Sequence, residues 1–267
     1  MQPIDGSYLY KLGGSIRPLS NIGKNTLWGT AWLSLYIASS ELEAFINGSV
    51  FSPNVKTTRI VANELLAVLK EFVETAEKTE NKDKELDALD AYRLSSAFNS
   101  FEAVLTAEFG LMPIFLITPK KGYDLSTLIY SGNTLFPSDL QAKVPEASQD
   151  IAKGTQCVAF EMWTAAAFHF HRATESVLRK YWESMLPGRP HPGNKTIGEY
   201  LRALGKSRKG SPKLKSALRD LKDLDRNPVL HPEYSLTNIE EADALMGMIR
   251  NAMVQMLAKM PMPTTTS

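Results

Sequence analysis

One cysteine, Cys157, occurs in 267 residues. A lone thiol excludes an intramolecular disulfide framework and fits a reducing compartment. With so few thiols a zinc site is not expected, and no cofactor is called for. Charge of one sign is also lacking. The formal net charge is +1, so affinity for nucleic acid must come from a local patch and not from a global field. No long hydrophobic run is present. Thr26 to Ser40 is uncharged and rich in Trp and Leu, but it is shorter than the roughly 20 apolar residues a bilayer span needs. Glu41 and Glu43 follow it directly, so it is expected as a buried helix. The start, Met1 to Arg17, lacks a basic-then-apolar signal pattern. A cytoplasmic protein with no membrane partner is the expectation. No internal repeat is visible.

What is there is helical periodicity. Hydrophobic residues make up 43% of the chain, enough for a packed core. Met1 to Lys24 reads as irregular or a short hairpin. Helices are expected over 25–46, 58–78 and 86–109. Val61, Leu65, Val68, Leu69, Phe72 and Ala76 line one face of the second. Trp28, Trp32, Tyr36 and Phe45 read as core aromatics. Pro113 to Pro119 is a short β-rich run between prolines. Thr134 to Pro145 has loop character, and a soft domain boundary is placed there.

The second half reads as a helical bundle. Ala147 to Met185 is one long helix or two abutting ones, with a stripe through Phe168, His171, Glu175, Leu178 and Trp182. Shorter helices follow over 197–204 and 213–226, the latter with Leu214, Leu218, Leu221 and Leu224 inward. A capping box, Thr237 with Glu240, opens the last helix. Its seam runs through Ile239, Ala242, Met246, Ile249, Met253, Met256 and Met260, which serves as core or as a dimer interface. The expected fold is therefore mainly α. A helical N-terminal domain with a short β-rich segment covers 1–145, a helical bundle covers 146–260, and a disordered tail covers 261–267.

Arg226-Asn227-Pro228-Val229-Leu230-His231-Pro232-Glu233 carries the chemistry. On an unbroken helix, residues five apart diverge by about 140°. Pro228 ends the helix and can return Arg226 and His231 to one side. A guanidinium grips phosphate oxygens, and a histidine transfers protons near neutrality. RNA supplies its own nucleophile, the 2′-hydroxyl, so this pair needs no metal to cleave it. The plainer alternative is that Arg226 caps helix carbonyls and His231 bonds within a proline-rich turn.

The spacing, the polar Asn227 beside the arginine, and the preceding helix pattern from Ala165 to Arg179 resemble the HEPN superfamily with its R-x4-H motif. The resemblance covers about Ala147 to Lys259, roughly 110 residues, an ordinary domain size. It implies a four-helix bundle and a metal-independent endoribonuclease, acting as a toxin or antiviral defence effector. It also implies a homodimer through that bundle, in which two motifs face each other across a two-fold axis, with an antitoxin or regulatory protein among the partners. Arg226, His231 and Asn227 would be its catalytic residues. A non-catalytic module binding RNA, nucleotide or protein is the alternative. Some HEPN toxins are silenced on a tyrosine two residues after the histidine. Here Glu233 stands at that position and Tyr234 one further on, so the pattern departs.

Glu175, His171 and Arg172 are supporting candidates. A carboxylate on an apolar seam needs a partner. Arg226 or His231 would make Glu175 functional, whereas Arg172 or Arg179 would make it a structural ion pair. His169 and His171 point about 200° apart on a helix and cannot share an ion. His191 reads as a surface loop residue. Arg202, Lys206, Arg208, Lys209, Lys213 and Lys215 form a basic run before the motif helix. They read either as an RNA-binding track or as a solvated loop.

Overall fold

The computed structural model describes residues 4–78, 80, 82–222 and 235–263. Eleven α-helices occur among them, and no strand. The chain divides into two compact units, residues 1–115 and 116–267.

The first unit holds α1 (Gly6–Ile16), α2 (Trp28–Gly48), α3 (Lys56–Glu77) and α4 (Ala88–Gly110). Asp5 caps α1 by accepting from the Ser7 N–H at 2.9 Å. That helix replaces the irregular start expected over 1–24. Helix α2 lacks a side-chain cap. Carbonyls of Lys84 and Lys82 instead accept its first free donors, the N–H groups of Trp28 and Gly29, at 3.0 Å each. Helix α3 packs on both α2 and α4. Leu35, Leu42, Phe45, Leu65, Leu69 and Phe101 meet in the core, each adding about 1.5–3 kcal/mol by burial. Two of the expected core aromatics, Trp28 and Phe45, are buried there. Tyr36 is 51% exposed and Trp32 only partly covered, so α2 is amphipathic and not wholly buried. Among the described residues no helix is long and apolar enough to cross a membrane.

The Pro113–Pro119 run forms no strand. Phe115 and Leu116 are 86% and 90% exposed. β-propensity alone does not make a strand when no neighbouring edge accepts the backbone hydrogen bonds. Only two isolated bridges occur among the described residues, Leu27 with Glu85 and Lys120 with Tyr123.

The second unit holds α5 (Leu125–Tyr130), α6 (Leu140–Lys143), α7 (Pro145–Ala159), α8 (Trp163–Met185), α9 (Ile197–Lys206), α10 (Pro212–Asp220) and α11 (Ile239–Leu257). It begins at Leu116, well before the loop over 134–145. Side-chain ties explain why residues 116–124 belong here. Lys120 is buried, and its Nζ donates to the Thr118 carbonyl and to Glu161 Oε1 at 2.7 Å. The Tyr123 hydroxyl donates to Asp243 on α11. The region expected as one long helix or two is two helices, broken at 160–162, where Glu161 takes a positive φ of 60°.

Helix α8 is central and packs on both α7 and α11. Leu178 and Trp182 of the expected stripe are buried, as is Phe170, but Phe168 is exposed. The last helix starts one residue later than the proposed capping box. Asn238 is the N-cap, accepting from the Glu241 N–H at 2.9 Å, and the Glu241 carboxylate reaches back to the Thr237 N–H at 2.8 Å.

Gly154 on α7 lies under the Phe170 ring, where a Cβ would sit 2.4 Å from Cε1. In an open helix, Gly→Ala stabilises by about 0.5–1 kcal/mol. Gly247→Ala on α11, where a Cβ would meet nothing within 4 Å, should show that gain. Gly154→Ala should instead lose about 1–3 kcal/mol through overpacking. Urea denaturation midpoints of the two variants check the contrast.

Glu108 on α4 accepts from the backbone N–H groups of Thr57 and Thr58 at 2.9 Å each, capping α3 from outside. Its carboxyl is held down at about 2: the Thr58 side chain contributes most, burial opposes it, and the N–H groups of Thr58 and Thr57 add to it. A depressed carboxyl stabilises the fold above its unfolded value and loses that stabilisation as pH falls toward the folded one. The melting-temperature difference between wild type and Glu108→Gln should therefore be full at pH 7 and shrink between about pH 4.5 and 2. Thermal melts across that range measure it.

Candidate nucleic-acid interface

Helices α9 and α10 each have one buried apolar face and one cationic face. On α9, Ile197, Tyr200 and Leu204 point inward at steps of three and four. On α10, Leu214 and Leu218 do the same, followed by buried Leu221. Leu224 lies outside the described residues. Thr196 caps α9 by accepting from the Glu199 N–H. Ser211 caps α10 by accepting from the Leu214 N–H at 3.0 Å, with Pro212 at the first helical position.

The start of α9 is fastened from behind. His191 Nδ1 lies 2.8 Å from the Tyr200 hydroxyl, and its Nε2 lies 3.3 Å from Glu183 Oε1. Burial, above all, pushes the Tyr200 phenol up to about 12. The phenol therefore keeps its proton and can donate to Nδ1, leaving Nε2–H to face Glu183. His191 is thus a half-buried link in a hydrogen-bonded chain, not a surface loop residue.

With their apolar faces packed inward, the outer faces of α9 and α10 border a groove of about 550 Å³. Its cations are Arg202, Lys206, Lys215, Arg219 and Lys222. Gly198, Leu201 and Gly205 complete the lining. Among the described residues no ion pair holds Arg202, Lys206, Lys215 or Arg219. Like charges one turn apart on a helix cost a few tenths of a kcal/mol each. The array is electrostatically uphill and suited to an incoming anion.

Three residues of the sequence's basic run, Arg202, Lys206 and Lys215, are brought together here. Arg208, Lys209 and Lys213 are exposed and do not line the groove. Arg208 takes a positive φ of 52° in the turn after α9. Arg219 and Lys222 were missed by sequence reasoning, although they continue the Lys215 face at steps of four and three. The motif residues Arg226, Asn227 and His231 lie outside the described residues, as do Glu233 and Tyr234.

The supporting residues separate onto different faces of α8. His171 is 5% exposed, so it faces the interior. Arg172 leans over the Phe168 ring and places Nε 3.4 Å from Asp150 Oδ2. Glu175 is half-buried and close enough to Tyr200 to add to the upward push on its phenol. Arg179 donates to Ser176 Oγ at 2.8 Å. The reading overlooked Asp150, which is buried on α7 and takes His169 Nδ1 at 2.9 Å on its other oxygen. Cys157 is buried, and burial pushes its thiol up, away from a reactive thiolate. No group of three or more His, Cys, Asp or Glu side chains among the described residues could hold a metal ion.

Asp150 is structural by this geometry and the groove cations are not. Asp150→Ala should lower stability by about 1–3 kcal/mol, since it removes a charged hydrogen-bond acceptor shared by two partners. Lys206→Ala should stay within about 0.5 kcal/mol of wild type. Urea denaturation of both variants distinguishes the roles. No family model, curated protein or solved structure matches the chain.

Proposed function

We propose that the second unit is a metal-independent endoribonuclease of the HEPN type, working as a toxin or defence effector. The supporting observation is the cationic groove between α9 and α10. Its lining extends past the end of α10 to Lys222, and Arg226 follows four residues later in the chain. A polyanion held in the groove would thus lie near the segment that carries the motif.

In this reading His231 accepts the proton of the 2′-hydroxyl. The 2′-oxygen attacks phosphorus, forming a 2′,3′-cyclic phosphate as the bond to the 5′-oxygen breaks. The leaving oxygen takes a proton from the His231 of a second copy, and Arg226 stabilises the charge that develops on the phosphoryl oxygens. Asn227 orients the same group. Two-fold pairing through the bundle supplies both sides of the acid–base apparatus. Glu175 and His171 act from α8 as positioning residues. Arg172, whose Nε lies 3.4 Å from Asp150 Oδ2, supports α8 from its outer side.

A non-catalytic module that binds RNA, nucleotide or a protein partner is the second reading. It is favoured by the groove's composition, since its cations can hold a polyanion without Arg226 or His231.

Incubation of the full chain with RNA in EDTA separates the two. Wild type should cut, and Arg226→Ala and His231→Ala should each slow cleavage by about 10²–10⁴-fold. Cleavage that survives both substitutions would remove the ribonuclease reading.

A further inference from the structure

The groove's cations are spaced in a regular way. Arg202 and Lys206 stand four residues apart on α9, and Lys215 and Arg219 four apart on α10. Such pairs hold their Cβ atoms about 5–6 Å apart. Each wall therefore repeats a positive charge at a step close to that between neighbouring phosphates of an extended single strand. A rigid helix holds the step, and the packed leucines hold the helix.

What lines the groove is equally informative. None of its lining residues is aromatic, acidic or a side-chain amide. Base stacking uses an aromatic face, which the groove lacks, or the plane of a guanidinium, which only Arg202 and Arg219 offer. Reading A, C or U by their edges draws on Asn, Gln, Asp or Glu. Two glycines are among the lining: a Cβ at Gly205 would meet nothing within 4 Å, and the nearest atoms to one at Gly198 belong to the aliphatic stem of Lys222. The groove has the equipment to hold a backbone and lacks the side chains that read A, C or U, while its arginines and lysines can also meet a guanine edge.

We infer that the α9–α10 groove is a clamp for consecutive phosphates of a single strand that does not distinguish A, C and U, with Arg202, Lys206, Lys215 and Arg219 as its contacts. The choice of RNA as the natural strand rests on the ribonuclease reading; the clamp itself does not. Backbone contacts of this kind are the same in ground and transition states. They lower KM and leave kcat unchanged.

The test uses the full chain carrying His231→Ala, so that the probe is not cut. Binding of fluorescein-labelled twelve-nucleotide strands of U, A, C and deoxy-T is followed by anisotropy across a salt series. All four should bind within about threefold of one another, because they share phosphates. Arg202→Gln/Lys215→Gln/Arg219→Gln should flatten the log–log salt slope by about two units, at roughly 0.7 per lost contact on single strands. Lys213→Gln, outside the groove, should leave the slope unchanged. Matching thermal melts verify that the triple variant is folded. If it is not, Arg219→Gln alone should flatten the slope by about 0.7.

A strong preference for one base, strict selection against the deoxy strand, wild-type binding by the folded variant, or no binding at all would overturn the clamp. Groove-dependent binding with no cleavage by the wild type keeps the clamp and ends the ribonuclease reading. Cleavage that persists with unchanged KM in the groove variant, made with His231 intact, does the reverse.

Discussion

The Phe170 ring occupies the space above Gly154 that any side chain on α7 would need. That contact sets the distance between α7 and α8, and the second unit is organised around it. Ala166, Ala167 and Ala173 lie on the same helix, and all are buried and small. They let neighbouring backbones approach where a leucine would hold them apart. With α8 so placed, Tyr181 and Trp182 near its other end are also placed. Trp182 meets Tyr200 edge-on, with ring centroids 5.8 Å apart, and Tyr200 belongs to the inward face of α9. The direction of the outer α9 face is thus a consequence of how the core packs.

The same logic explains why the fold tolerates a positive array. Each buried leucine of α9 and α10 adds about 1.5–3 kcal/mol. Each like-charge pair one turn apart removes a few tenths. The packing term wins several times over, so the outer face is free to be chosen for something other than stability. Fold and groove are coupled through helix period: apolar residues inward at threes and fours leave positions four apart facing outward, and there the chain carries cations.

Much of this was readable before the structure. The rows Leu214, Leu218, Leu221 and Val61, Leu65, Leu69 show the helical period directly, and both sets lie in helices with the leucines buried. Caps were legible to within a residue, because Thr237 and Asn238 can both accept and only the chain's path decides between them. The start of α1 was obscured by Gly13 and Gly14, although Asp5 ahead of Leu9, Leu12 and Ile16 carried the signal. The 113–119 run misled because propensity is local whereas a strand needs a partner. Half of the groove was visible as a run of charges, and following α10 for two further turns would have added Arg219 and Lys222. Which charges face each other was not visible, because that depends on α9 and α10 lying side by side. Asp150 was out of reach for a like reason: it sits on a different helix, 19 residues from its partner His169.

A net charge of +1 and a groove with five cations are compatible because charge acts locally. Beyond about 8 Å at physiological ionic strength, salt screens most of what a distant residue contributes. A strand entering the groove responds to Arg202, Lys206, Lys215 and Arg219 and hardly at all to charges farther away than that. Affinity can therefore be built into two short helices without making the whole protein basic, and without the nonspecific attraction that a basic surface brings. Under the proposed ribonuclease reading, affinity and chemistry would fall on different residues. The phosphates would be held by side chains that have no proton to give near neutral pH, while proton transfer is left to a histidine in the segment that follows. Strength of binding can then change by one charge at a time without disturbing the acid–base pair, and the acid–base pair can be silenced while the strand stays bound.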